Sequence, residues 1–185
     1  MKTALKAYMK PQVLTAMAML IALQVVSRFL TINLFPWLRI SFGFLPIAVA
    51  GMLFGPVYAA LGGGLGDVIG FLLFPSGTYF PGFTITAMAE GLIYGFILFG
   101  VYKELRFGSR AGWLRVLLCE LAITVLCYLA LNTLWLSILQ GKAFLAIFPV
   151  RFLKNIAQLP VNVYLIMQVG TLLKRLPGNL HLPRA

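Results

Sequence analysis

Long apolar runs dominate this chain, and the residues that interrupt them fall at intervals suited to membrane-crossing helices. Reading between the interruptions predicts six spans, at about 12–31, 40–54, 56–74, 84–102, 113–139 and 145–173. The breakers are Pro36, the Gly55-Pro56 pair, the stretch from Pro75 to Gly82, the stretch from Gly108 to Gly112, and Gly141. Gly43, Pro46 and Gly51 weaken the second span, so it is expected to be short, tilted or interrupted. The expected architecture is an all-α membrane protein: six transmembrane helices in one bundle, with residues 1–185 forming a single integral membrane domain.

Composition points the same way. Hydrophobic residues make up 61% of the chain and charged residues 10%, whereas soluble domains run near 45–50% apolar and about 25% charged. One crossing takes about 20 residues, so the length of 185 is used up by six spans and leaves no soluble catalytic domain. Lys2, Lys6 and Lys10 before an apolar run imitate a secretory signal. The small-residue pair Ala16 and Ala18 falls inside that run, however, and no polar mature sequence follows, so the first span is read as retained. Cys119 and Cys127 lie eight apart in one span, too far along a helix for a disulfide.

The net charge of +11 would suit nucleic acid, yet the basic residues sit between apolar spans and no soluble fold remains to present them. With both termini on one side, that side holds Lys2, Lys6, Lys10, Lys103, Arg106, Arg110, Arg115, Lys174, Arg175 and Arg184, ten of the fifteen. By the positive-inside rule it is cytoplasmic. Arg28, Arg39, Lys142, Arg151 and Lys154 are then left at the outer surface, against the rule. Any one of them can snorkel to the interface, but five together suggest a basic ring that attracts an anion.

Several patterns carry chemistry. On the sixth span Arg151, Lys154, Asn155, Gln158 and Asn162 fall on one stripe. In hydrocarbon each needs a partner, so the stripe faces either a neighbouring helix or, the preferred reading, a wet ligand cavity. Gln24, Ser27, Arg28 and Thr31 gather on one side of the first span, while Ala18 and Ala22 lie about 120° around it, where another helix can approach. The third span carries Gly62, Gly66 and Gly70 at intervals of four, with Gly63 and Gly64 beside them, a pattern for close internal packing. Asp67 in that span either pairs with an arginine such as Arg28 or Arg39 or accepts hydrogen bonds from a ligand's N–H groups. Phe35, Trp37, Phe74, Tyr79, Phe80 and Phe83 cluster on outer loops rich in Gly and Pro. They form an interfacial belt or close over a flat ligand, with Ser76 and Thr78 adding polar contacts. Glu90 and Glu120 are read as structural partners inside the fourth and fifth spans.

Other chemistries are argued against. The chain has no Gly-x-x-x-x-Gly-Lys-Ser/Thr, so it holds no nucleotide by a P-loop. His181, the single histidine, sits in the polar tail, which removes a Ser-His or Cys-His couple from the membrane. The four acidic residues are scattered, so neither a metal cage nor a cofactor is expected, and the chain is read as no enzyme.

The stretch from Arg39 to Tyr94, with Leu-Pro-Ile, Phe-Gly-Pro, Gly-Gly-Leu-Gly-Asp and Tyr-Phe-Pro-Gly-Phe-Thr, resembles the S components of energy-coupling factor vitamin transporters, the folate-specific branch above all. The similarity runs over about residues 12 to 176 and takes in Ala18-x-x-x-Ala22 and the Arg-Phe-Leu-Lys-Asn start of the last span. It implies a multi-pass subunit of a bacterial plasma membrane, both termini cytoplasmic, that captures a vitamin from outside. It also implies partners: two ATPase subunits and a transmembrane coupling subunit, met through Ala18 and Ala22, against which the loaded subunit tips over in the membrane to deliver its cargo. A folate offers a flat pterin, an aromatic linker and a doubly anionic tail. Arg28, Arg39, Arg151 and Lys154 suit the carboxylates, Trp37, Tyr79 and Phe83 the rings, Ser76 a polar contact, and Asp67, Asn155 or Gln158 the pterin edge. The alternatives are an S component for another anionic or aromatic vitamin such as pantothenate, an intramembrane enzyme, and a passive channel or structural assembly protein.

Overall fold

The computed structural model describes residues 11–27, 32–35, 38–40, 42–75, 78–100, 109–141 and 143–175, and among these residues it has six helices and one short antiparallel pair of strands. In chain order these are α1 (Pro11–Ser27), β1 (Ile32–Phe35), β2 (Leu38–Ile40), α2 (Phe44–Phe54), α3 (Pro56–Leu73), α4 (Pro81–Leu98), α5 (Arg110–Gln140) and α6 (Phe144–Arg175). Helices α3 to α6 are long and apolar enough to cross a membrane. Helix α2, at 11 residues, spans about 16 Å, roughly half the hydrocarbon thickness. That shortness was expected, but its start was not. Residues 38–40 belong to an antiparallel pair in which Asn33 faces Arg39 and Ile32 faces Ile40, so the helix begins at Phe44 rather than near residue 40.

Local chemistry sets the other boundaries. Gly55, at φ 87°, separates α2 from α3, and Pro56 opens α3 where its missing N–H costs nothing. Pro81 does the same for α4, which therefore starts three residues before the expected position. The Ser109 hydroxyl accepts from the Gly112 amide at 3.3 Å and caps α5. Within α5, Thr124–Leu131 widens into a π-helix, with the Asn132 amide donating to the Cys127 carbonyl five residues back. Pro149 and Pro160 lie inside α6.

Glycine determines how closely the helices meet. Helices α3 and α4 share the most extensive helix-to-helix contact in the chain. A Cβ at Gly91 would run into the Ala59 carbonyl, one at Gly95 into Pro56, and one at Gly63 would stop 2.5 Å from the Ala87 oxygen. On the adjoining face of α3, Gly62 and Gly66 leave room for Met17 and Gln24 of α1. The glycine pattern thus packs two neighbours internally, in line with the sequence reading.

Two apolar clusters hold the bundle. Val13, Met17, Ala50, Phe54 and Ala59 join α1, α2 and α3, while a larger cluster around Met52, Tyr94, Leu98, Val116 and Ile166 joins α2, α4, α5 and α6. Large apolar side chains also cover the outside, with Leu14 74%, Phe96 75% and Leu145 81% exposed. Such a surface is costly in water but is solvated by lipid tails. Cys119 and Cys127 are free and buried.

Candidate ligand-binding cavity

A cavity of about 790 Å³ lies at one end of the bundle, within the size range of small-molecule sites. It is bounded by the C-terminal parts of α1, α3 and α5 and the N-terminal parts of α2, α4 and α6, together with the loop joining α3 to α4. Alternating helix direction brings these ends together.

Helix α6 supplies the basic wall through Arg151, Lys154, Asn155 and Gln158. Spacings of three, four and seven put them on one helical face, as the stripe in the sequence required. Acidic groups come from the other side of the bundle: Asp67 on α3 and Glu90 on α4. The site therefore presents cations from one helix and carboxyl groups from two others, an arrangement suited to a ligand with both an anionic part and N–H donors.

Asp67 is held in place by its neighbours. The Thr84 hydroxyl donates to its Oδ2 at 2.8 Å and shares a 3.0 Å hydrogen bond with the Tyr79 hydroxyl. Tyr79 and Phe71 pack at 5.1 Å, and Phe80 packs against Phe83 at 6.1 Å and Trp135 at 5.6 Å. The indole N–H of Trp135 donates to Thr86 Oγ1 at 3.1 Å. The aromatic loop is thereby tied to α4 and α5, and Phe74, Thr78, Tyr79, Phe80 and Phe83 all line the cavity.

Of the residues singled out in the sequence, Asp67, Tyr79, Phe83, Arg151, Lys154, Asn155 and Gln158 meet at this cavity. Arg39 is in β2, its backbone opposite Asn33. Arg28, Trp37 and Ser76 lie outside the described residues. Ala18 and Ala22 are exposed on α1, on a face separate from Gln24, which is buried and lines the cavity. Glu120 matches its structural reading, since the Tyr94 hydroxyl donates to Oε1 and the Asn162 amide to Oε2.

Glu90 differs from that reading. It is buried and lines the cavity, and its Oε1 has no hydrogen-bond partner. Tyr128 and Asn132 also line the cavity and had not been singled out. The π-helical turn brings them in, and the Thr133 hydroxyl, donating at 3.2 Å to the Tyr128 carbonyl, reinforces it. Their signal was the run Thr124, Tyr128, Asn132, spaced by four rather than alternating three and four. Such spacing keeps residues aligned when a turn is wider than 3.6 residues.

Comparison with known proteins places this geometry. The family model described as "ECF transporter, substrate-specific component" matches residues 12–170. The folate transporter FolT of Clostridium novyi (strain NT) is 40% identical over 168 residues, covering 90% of this chain and 92% of that protein. FolT of Streptococcus mutans serotype c is 31% identical over 170 residues, 91% of this chain and 90% of that one. Among solved structures, FolT bound with folic acid superimposes with a TM-score of 0.73 at 37% identity, covering 87% of this chain and 95% of that chain. The S component of a bacterial ECF transporter superimposes at 0.54 with 20% identity, over 89% and 98%, a likeness of fold.

A helical membrane bundle with a cavity of mixed polar and apolar lining at one end suits a solute-capturing membrane subunit. The chain belongs to the substrate-specific components of ECF transporters.

Proposed function

We propose that this chain binds folate with high affinity at the cavity and delivers it across the membrane as one subunit of an ECF transporter. The supporting observation is the cavity's split polarity, with Arg151 and Lys154 on α6 and Asp67 and Glu90 on α3 and α4. This division matches a ligand whose one end carries two carboxylates and whose other end is a heterocycle bearing N–H groups. The relative of known structure at 37% identity is described as bound with folic acid, and the curated relatives are folate transporters.

In this reading Arg151 and Lys154, joined by Arg28 and Arg39, neutralise the tail, while Tyr79 and Phe83, with Trp37, cover the rings. Asp67, Asn155, Gln158 and Ser76 make the polar contacts. The cavity end of the bundle faces outward and both termini face the cytoplasm, which puts ten of the fifteen basic residues inside. The whole chain acts as one membrane domain. A transmembrane coupling subunit docks on the Ala18 and Ala22 face of α1, and two ATPase subunits supply the energy. Chemistry on the vitamin is no part of the role.

Uptake tests this reading. Cells expressing the chain together with an ECF coupling subunit and its two ATPases are expected to accumulate labelled folic acid, whereas cells expressing the chain alone are not. Equal uptake without the ATPases would contradict active import, and no uptake with the full set would contradict the folate assignment.

A further inference from the structure

Helix α6 is packed unequally along its length, and the change falls at a proline. After Pro160, Asn162, Val163, Ile166 and Met167 are buried, the last three in the larger apolar cluster. The Asn162 amide adds its bond to Glu120, so this half is anchored to α5. Before Pro160, Asn155 is the one buried side chain among those described, and Leu145, Val150, Phe152, Leu153 and Ile156 are exposed. Buried contact is what resists local motion, so residues 144–159 are the looser half.

Backbone chemistry singles out the junction. Pro160 has no amide hydrogen, so the helical bond from residue 160 to the Ile156 carbonyl is missing there. Helices bend most readily at such a position. Pro149, the other proline inside α6, is bridged by side chains: the rings of Phe144, Phe148 and Phe152 stack along the helix at 5.7 and 5.8 Å. Residues 144–159 therefore form one stiff arm, about 24 Å long, with its weak point at the base. Arg151 and Lys154, the two basic residues that line the cavity among those described, ride on this arm. Nδ2 of Asn155, on the same face, is enclosed and has no hydrogen-bond partner, so the arm's polar side is not fully satisfied where it stands.

We propose that Pro160 is a positioning residue, the hinge on which the arm swings toward α3 and α4 when an anionic ligand reaches Arg151 and Lys154, an inference that rests on the folate reading above. Attraction between the ligand's carboxylates and these two cations supplies the differential interaction that favours the closed arm. Because the arm is stiff, a swing of about 12° at its base moves its tip by about 5 Å. Motion of this kind sets how fast the ligand enters and leaves more than how tightly it is held.

The test uses the purified full chain in nanodiscs. Spin labels at Leu72→Cys on α3 and Leu145→Cys on the arm, both exposed positions, report the distance across the cavity end, while Cys119 and Cys127 are buried and stay unlabelled. Folic acid is expected to shorten that distance by about 5 Å and to narrow its distribution. In stopped-flow measurements Pro160→Ala, whose restored amide stiffens the helix, is expected to bind and release folic acid about tenfold more slowly, with Kd within about threefold of wild type. Pro149→Ala is expected to leave both rates unchanged. An unmoved label distance in protein that binds folic acid would overturn the proposal, as would wild-type rates in Pro160→Ala. Equal slowing by Pro149→Ala would make the stiffness of the whole helix the cause and would also overturn it. The label distance carries the test if Pro160→Ala does not fold. If the wild type binds no folic acid, the folate reading fails and this inference falls with it, an outcome distinct from binding without motion.

Discussion

Asn162 on α6 donates its side-chain amide to Oε2 of Glu120 on α5 at 3.1 Å, deep in the apolar core. The Tyr94 hydroxyl from α4 takes the other oxygen, so one carboxyl group ties three helices together. Truncating Glu120 strands two buried donors at once. Glu120→Leu is expected to cost about 3 kcal/mol of stability, seen as a lowered thermal unfolding midpoint in detergent. Adding Tyr94→Phe should recover part of that loss, because one stranded hydroxyl is removed; a further drop would mean that the network does not bear on stability.

The glycines of α3 and α4 divide into two kinds. A side chain at Gly91 meets backbone, the Ala59 carbonyl, whereas one at Gly66 meets the movable end of Gln24. Gly91→Ala is therefore expected to prevent recovery of monodisperse protein, since α3 and α4 must part to admit the methyl group. Gly66→Ala is expected to yield folded protein with at most a modest loss of stability. Size-exclusion profiles of the two variants, expressed alike, make the comparison.

Charge on α6 sets a third expectation. Arg151→Ala and Lys154→Ala are each expected to weaken folic acid binding about tenfold at low salt, corresponding to roughly 1.4 kcal/mol for one lost charge-assisted contact. The same substitutions should leave binding of a folate diester nearly unchanged, because its carboxylates are masked. Titration calorimetry with both ligands checks this, and equal losses would place the two cations away from the tail.

The exposed face of α1 is expected to act after binding. Ala18→Trp and Ala22→Trp should leave folic acid affinity within twofold of wild type while blocking uptake by cells that hold the complete transporter, because bulk there prevents close helix approach. Unimpaired uptake would show that the coupling subunit docks elsewhere.

The fold was legible in the sequence because each apolar run is bounded by Gly or Pro and each is too long for anything but a helix. The strand pair Ile32–Phe35 and Leu38–Ile40 was not, since its residues are as apolar as a helix start and short strands carry little periodicity. At the site, Arg151, Lys154, Asn155 and Gln158 stood out because charge and amides are conspicuous against hydrocarbon. Glu90 stood out equally, but a lone carboxyl in a span does not reveal whether it meets a helix or a cavity. Glu120, a similar residue one helix later, meets helices. Tyr128 and Asn132 were hidden by the π-helical turn, which displaces residues from the faces that a 3.6-residue period assigns.

The central claim is that the cavity holds folate, and direct titration of the purified wild-type chain tests it most simply. Folic acid added to monodisperse protein in nanodiscs is expected to saturate one site per chain and to keep that site against a large excess of pantothenate. Displacement by pantothenate, or no saturable binding of folic acid by well-folded protein, would contradict the account.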